Sequence, residues 1–124
     1  MSAAEPRFAS FRALFSADAI GNEELNLEGL NKRARAMAEG VWENRAELDA
    51  EIAATARKWR IGRMPAVDRS LLRLSLYELR HTSTPVGVVI SEAVEIAKRY
   101  STERSGSFVN GVLGKLAEKS LQED

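Results

Sequence analysis

Residue types that commonly carry catalysis or bind metal ions are sparse in this sequence of 124 residues. It has one histidine, His81, and no cysteine, which excludes thiolate catalysis and cysteine-based zinc sites. Glu92 and Glu95 lie one helical turn apart, but the surrounding pattern places both on a solvated face. Gly111 and Gly114 fall inside a helical pattern and do not form a phosphate-binding loop. We therefore predict that the chain is not an enzyme and needs no metal or cofactor.

A group of residues between positions 98 and 108 has the chemistry of a single-stranded RNA site. Basic side chains, hydroxyls and aromatic rings occur there close together. Such sites pair guanidinium groups with phosphates and stack aromatic rings on exposed bases. Tyr100 and Phe108 also fit the apolar faces of their helices, so a core role is the alternative for both. The candidate RNA-binding residues of this group are Lys98, Arg99, Tyr100, Arg104, Ser107 and Phe108.

Apolar spacing predicts that helices position these residues, because strand-like alternation is missing throughout the chain. Helical patterns repeat at three- and four-residue steps and are separated by short polar, glycine or proline breaks. We predict an all-α fold, a single domain over 1–124 that forms one compact bundle of about six helices. The predicted helices cover about 7–19, 27–45, 46–59 (ending on Trp59), 65–80, 89–100 and 107–119.

The predicted fourth helix is expected to be central. Its apolar residues cover roughly half of the circumference, which is more than a surface helix requires. The remaining stripe is made of Arg69, Arg73, Tyr77 and Arg80, and it predicts one exposed, basic side.

Charge is balanced overall but unevenly distributed. Eighteen basic residues offset 18 acidic ones. Residues 18–51 contain nine acids and four bases, whereas residues 57–80 contain seven bases and two acids. This asymmetry is compatible with one basic face, and ordinary solvated helix faces are the alternative.

The sequence predicts a cytoplasmic protein without a membrane segment. No stretch approaches the roughly 20 apolar residues that span a bilayer, and residues 1–7 do not resemble a signal peptide. The absence of cysteine fits a reducing compartment.

Several segments, taken together, are much more specific for one protein family than any one of them is alone. They are GVWENRAELDAEI at 40–52, RMPAVDR at 63–69, VDRSLLRLSLYEL at 67–79, Pro85, and VVISEAVEIAKRYSTERSGSFVNGVL at 88–113. This combination closely resembles the NusB family. The resemblance covers residues 40–116, roughly 60% of the chain.

The resemblance implies an all-helical fold and a role in transcription antitermination. Family members bind the boxA element of nascent RNA together with the ribosomal protein NusE, and they keep the elongating RNA polymerase resistant to termination, notably on ribosomal RNA operons. The implied partners are boxA-type single-stranded RNA, NusE and the transcription elongation complex. We expect a monomer or a weak homodimer.

The resemblance also implies roles for single residues. Arg104 becomes a stronger RNA-binding candidate, because the turn before FVNGVL is where family members contact boxA. Asp68 and Phe15 are the candidate NusE contacts. Asp68 is also placed to stabilise the N-terminus of its helix, and Phe15 also fits a core position.

The N-terminal segment departs from the family pattern. Family members usually begin with several consecutive arginines, whereas AAEPRFASFRALF places only Arg7 near those positions. Arg7 is therefore a further RNA-binding candidate, and reduced RNA affinity is expected because each lost phosphate contact weakens binding. True divergence and a misassigned start codon both fit this segment.

The main alternative function is a protein-interaction scaffold with weakened or lost RNA binding. The RNA-targeting domain of a methyltransferase is less favoured, since no cofactor domain follows residue 124.

Overall fold

The computed structural model describes residues 4–56 and 60–122, and these ranges contain six α-helices and no strand. This confirms the predicted all-α bundle. A short 3₁₀ turn, Ile61–Arg63, lies before the fourth helix. The helices are α1 Ala4–Ile20, α2 Lys32–Glu43, α3 Arg45–Thr55, α4 Ala66–His81, α5 Val86–Tyr100 and α6 Glu103–Gln122.

Helix α4 is the centre of the bundle, as predicted. It packs against α1, α2, α3, α5 and α6. Leu71, Leu72, Leu74 and Leu76 on α4 are each at most 1% exposed. Burying a leucine side chain stabilises a fold by about 1.5–3 kcal/mol, so this helix supplies a large part of the hydrophobic core.

The prediction of an exposed basic side on α4 is wrong. Its arginines form ion pairs with acids on α1 and α3, with distances of 2.6 Å for Arg69 to Asp18 and 2.7 Å for Arg73 to Asp49. Arg80 pairs in the same way with Glu51. Three acids of the acid-rich segment therefore pair with three arginines of the base-rich segment between helices.

Helix α2 begins at Lys32, five residues later than predicted. Asn31 caps it, because its side-chain oxygen accepts a hydrogen bond of 2.8 Å from the backbone N–H of Ala34. Gly29 adopts a positive φ of 82°, which a helix does not allow. The apolar residues at 27 and 30 therefore belong to the loop before the helix.

Helix α6 begins at Glu103, four residues earlier than predicted. The hydroxyl of Thr102 accepts a hydrogen bond of 3.0 Å from the backbone N–H of Ser105 and so caps the helix. Only residues 101 and 102 separate α5 from α6, and the two helices form a tight hairpin. Helix α3 ends at Thr55. The predicted helical position of Trp59 lies outside the described residues.

Gly40 on α2 allows a close approach to Tyr77 on α4. A Cβ added at Gly40 would lie 2.8 Å from Cε2 of Tyr77 and closer still to the end of the ring. We expect Gly40→Ala to destabilise the protein by about 1–3 kcal/mol, because either the ring or α2 must shift. Urea denaturation measures this difference.

Gly111→Ala is the matched control. Gly111 also lies inside a helix, and a Cβ there meets nothing within 4 Å. Alanine should stabilise this position by roughly 0.5–1 kcal/mol. If Gly40→Ala stabilised the protein equally, the close contact with Tyr77 would be refuted.

Candidate RNA and partner interface

The hairpin of α5 and α6 brings six of the seven candidate RNA-binding residues to one end of the molecule. We call residues 98–108 the hairpin end. Four of its candidates have exposed side chains, Tyr100 is 48% exposed, and Phe108 is half-buried against the core. The exposed four are Lys98, Arg99, Arg104 and Ser107.

Lys98 and Arg99 lie in the last turn of α5. Positive charge at this position interacts favourably with the helix dipole, so it also has a structural role. The side chain of Lys98 crosses Gly106, since a Cβ at Gly106 would lie 2.8 Å from Cγ of Lys98. The two helices are therefore closely packed where the basic residues lie.

A chain of hydroxyl groups holds the turn between α5 and α6. The Oγ atoms of Ser101 and Ser105 are 2.8 Å apart. The Thr102 hydroxyl donates a hydrogen bond of 3.3 Å to Ser105 Oγ. Ser105 is 7% exposed, so its hydroxyl forms hydrogen bonds with these neighbouring hydroxyls in place of water. The sequence signal for the cap of α6 is the spacing of Thr102 and Ser105, because a threonine commonly caps the backbone N–H three residues later.

Asp68 lies in the first turn of α4 and is 3% exposed. Burial raises the pKa of Asp68 above its ordinary value, and the nearby Ser105 hydroxyl opposes this effect. Its Oδ1 has no hydrogen-bond partner among the described residues. The carboxylate thus faces the interior and not the surface.

Phe15, the second candidate partner contact, belongs to a row of aromatic rings along α1. The Phe11 and Phe15 rings stack with centroids 5.9 Å apart, and Tyr100 lies 5.5 Å from Phe8. Together with Arg12 and Val67, these rings line a groove of about 350 Å³, which we call the α1 groove. Phe15 is half-buried in this groove. The exposed Arg12 at its edge was not among the predicted site residues.

Arg7 does not join the hairpin end. It is 3% exposed and forms a bidentate ion pair with Glu78, in which Nε and Nη2 donate to the two carboxylate oxygens at 2.6 Å and 2.9 Å. The hydrogen bond to Glu78 raises the pKa of the Arg7 guanidinium above its ordinary value. In this arrangement Arg7 fastens α1 to α4.

Metal-binding clusters are absent from the part of the chain that the structure describes, since no three histidine, aspartate or glutamate side chains there are grouped to hold a metal ion. His81 is exposed at the end of α4, and its ring lies 4.6 Å from that of Tyr77. Over the same ranges, no helix is long and apolar enough to cross a membrane.

Comparisons with known proteins agree with this architecture. The transcription antitermination protein NusB of Anaeromyxobacter dehalogenans is 49% identical over 84 residues, which are 68% of this chain and 59% of that protein. The solved structure of NusB from T. maritima has a TM-score of 0.85 at 38% identity and covers 95% of this chain and 92% of that one.

A third similar protein was solved with partners. A crystal structure of the antitermination factors NusB and NusE in complex with double-stranded RNA contains a chain with a TM-score of 0.79 and 27% identity, covering 94% of this chain and 96% of that one. The NusB family profile matches residues 4–118. With the five other described helices packed around α4 and a profile match over almost its whole length, this chain belongs to the NusB family.

Proposed function

We propose that this chain is a transcription antitermination factor that binds boxA-type RNA of nascent ribosomal transcripts together with NusE. The observation that carries the proposal is the basic and aromatic hairpin end, displayed on a fold whose relatives are named antitermination proteins. A similar chain was solved with NusE and RNA, which supports both partners. Through them the protein would act on the elongation complex and keep RNA polymerase resistant to termination.

The RNA surface would be formed by the exposed part of the hairpin end. Lys98, Arg99 and Arg104 supply positive charge, and Ser107 supplies a hydroxyl close to them. Tyr100 is exposed and Phe108 is half-buried, and aromatic rings of this kind are the groups on which exposed RNA bases stack. Arg7 is not part of this surface, because its guanidinium is buried against Glu78.

The NusE surface would include the α1 groove, where Phe15 is accessible. Asp68 lies too deep to form an ion pair across an interface, since only 3% of the residue is exposed. We therefore assign direct contact to Phe15 and expect any effect of Asp68 on binding to be indirect.

The proposed role is that of a cytoplasmic adaptor and not of an enzyme. Binding RNA and a protein partner requires charge, rings and hydroxyls at the surface, which the hairpin end provides. We expect the protein to work as a monomer or a weak homodimer.

The test is a titration of boxA RNA with the chain and NusE at two salt concentrations. Arg99→Glu and Arg104→Glu should each weaken binding by up to about tenfold, and more strongly at low salt, because an arginine on a phosphate releases a counterion. Arg35→Glu is the matched control, since Arg35 is exposed on α2, away from the hairpin.

The alternative is a scaffold that binds NusE without RNA, and the burial of Arg7 against Glu78 favours it because Arg7 is then not available to a phosphate. It predicts that the complex of wild-type chain and NusE does not bind boxA, or that Arg99→Glu and Arg104→Glu change RNA affinity no more than Arg35→Glu does. Either result would refute RNA binding at the hairpin end.

A further inference from the structure

A cleft between α1 and α5 lies beside the hairpin end. Its volume of about 280 Å³ is close to the lower end of pockets that hold a small organic molecule, roughly 300–1,000 Å³. Two of its residues belong to the hairpin end, and the others have no assigned contact with RNA. We call it the α5 cleft, and it is lined by Phe8 from α1 and by Glu92, Glu95, Ile96, Arg99 and Tyr100 from α5.

Part of the lining of the α5 cleft is aromatic and apolar. The Phe8 and Tyr100 rings lie with centroids 5.5 Å apart and planes at 31°. Tyr100 is 48% exposed, and Phe8 is half-buried. Ile96, which is buried, adds apolar surface to the lining. Accessible rings are the groups on which unpaired RNA bases stack, so the cleft has the kind of surface that the flat face of a base requires.

The α5 cleft also carries charges of both signs, and they are not paired with each other. Arg99 follows Glu95 by one helical turn, yet neither side chain forms an ion pair or a hydrogen bond with another residue that the structure describes. The pKa of the buried Arg7 guanidinium is raised by its hydrogen bond to Glu78 and further by the charge of Glu92, so Glu92 also serves the bundle. Glu95 is exposed and is therefore the acid of the cleft that is available to a ligand.

The carboxylate of Glu95 cannot serve RNA binding through charge, because it repels phosphate groups. It can only accept hydrogen bonds. Guanine is the RNA base whose Watson–Crick edge presents two neighbouring donors, N1–H and N2–H₂, and these match the two oxygens of one carboxylate. Adenine and cytosine place a ring-nitrogen acceptor beside their amino group, and uracil places its N–H between two carbonyls. Glu95 is thus matched to guanine and mismatched to the other bases.

We propose that the α5 cleft is a base-specific site that binds one unpaired guanine of the RNA. The Glu95 carboxylate accepts hydrogen bonds from N1–H and N2–H₂ of the base, the Tyr100 ring stacks against the base, and Arg99 pairs with a neighbouring phosphate. This inference rests on the proposed function, because the same RNA would pass from the hairpin end into the cleft. It adds discrimination between bases, which the phosphate contacts of the hairpin end do not supply.

The test is a competition titration, in which short RNAs displace labelled boxA RNA from the complex of this chain with NusE. The competitors are oligouridines that carry one guanine, adenine or cytosine, placed at each position in turn. At its best position, guanine should compete about 5- to 150-fold more strongly than adenine or cytosine, the range that one bidentate contact to a base provides. Inosine, which lacks the N2 amino group, should compete more weakly than guanine at that position.

Glu95→Ala removes the carboxylate, and guanine should then compete no more than about twofold better than adenine or cytosine. Binding of plain oligouridine should stay equal or rise slightly, because a charge that repels phosphates is lost. A structural defect would instead weaken every RNA alike. Glu39→Ala is the matched control, since Glu39 is exposed on α2, which packs on α1, α3 and α4, and its loss should leave the guanine preference at the wild-type level.

The outcomes separate this inference from the proposed function. If wild type with NusE does not bind boxA, the proposed function fails, and the guanine site fails with it. If wild type binds boxA but guanine competes no better than adenine or cytosine, only the inference fails. The same holds if inosine competes as well as guanine, if Glu95→Ala keeps the guanine preference, or if Glu39→Ala loses it to the same extent.

Discussion

Glu78→Ala is expected to destabilise the fold by about 3–5 kcal/mol, because it leaves the guanidinium of Arg7 buried without a counter-charge. Glu78 is 1% exposed and Arg7 3% exposed, so the pair is largely shielded from water. Both prongs of the pair, at 2.6 Å and 2.9 Å, join α1 to α4. Urea denaturation of wild type and variant measures the difference in the free energy of unfolding.

Two comparisons show whether burial causes this loss. Glu51→Ala breaks the pair with Arg80, but the Glu51 side chain is 34% exposed, and we expect a loss of at most about 1 kcal/mol. The double change Arg7→Met with Glu78→Leu removes both charges and should be much less destabilising than Glu78→Ala alone. Equal losses for Glu78→Ala and Glu51→Ala would show that the buried pair is not desolvated.

The role of Arg7 bears on the arginine-poor start of the chain. The sequence offered Arg7 as the one remaining arginine near the positions where relatives hold RNA. Its guanidinium is instead committed to Glu78 within the bundle. The RNA binding that we propose would therefore come from elsewhere in this chain, and we assign it to the exposed basic residues of the hairpin end.

Local patterns in the sequence predicted the fold well where the signal was apolar. The leucines of α4 repeat at helical spacing around half of its circumference, and burial on that side follows from periodicity alone. The bounds of α2 and α6 were missed because capping residues decided them. Asn31 and Thr102 stand inside polar runs that also fit turns, and only their hydrogen bonds to the third residue beyond show where each helix begins.

The candidate site was harder to predict, because charge pairing depends on residues far apart in the sequence. Arg73 and Asp49 are 24 positions apart, and Arg69 and Asp18 are 51 apart. The charge pattern along the chain does not show which of these distant residues the fold brings into contact. The same limitation applied to Asp68, which was a candidate partner contact in the sequence but is 3% exposed in the bundle.

Phe108→Ala is expected to weaken boxA binding by about 5- to 150-fold, the equivalent of the roughly 1–3 kcal/mol that a stacked base contributes. Phe108 lies at the hairpin end, where it is half-buried and packs against the core. The salt dependence of binding should not change, because the ring releases no counterion. The measurement is the RNA titration at two salt concentrations, with thermal unfolding of the same variant.

Two further variants separate stacking from packing. Val109→Ala removes a fully buried neighbour, and it should lower stability while leaving RNA affinity close to wild type. Phe108→Leu keeps an apolar side chain against the core but removes the ring, so it should recover stability without recovering RNA affinity. If Phe108→Leu bound RNA as wild type does, the ring would serve the core alone, and the bases would have to stack on Tyr100 instead.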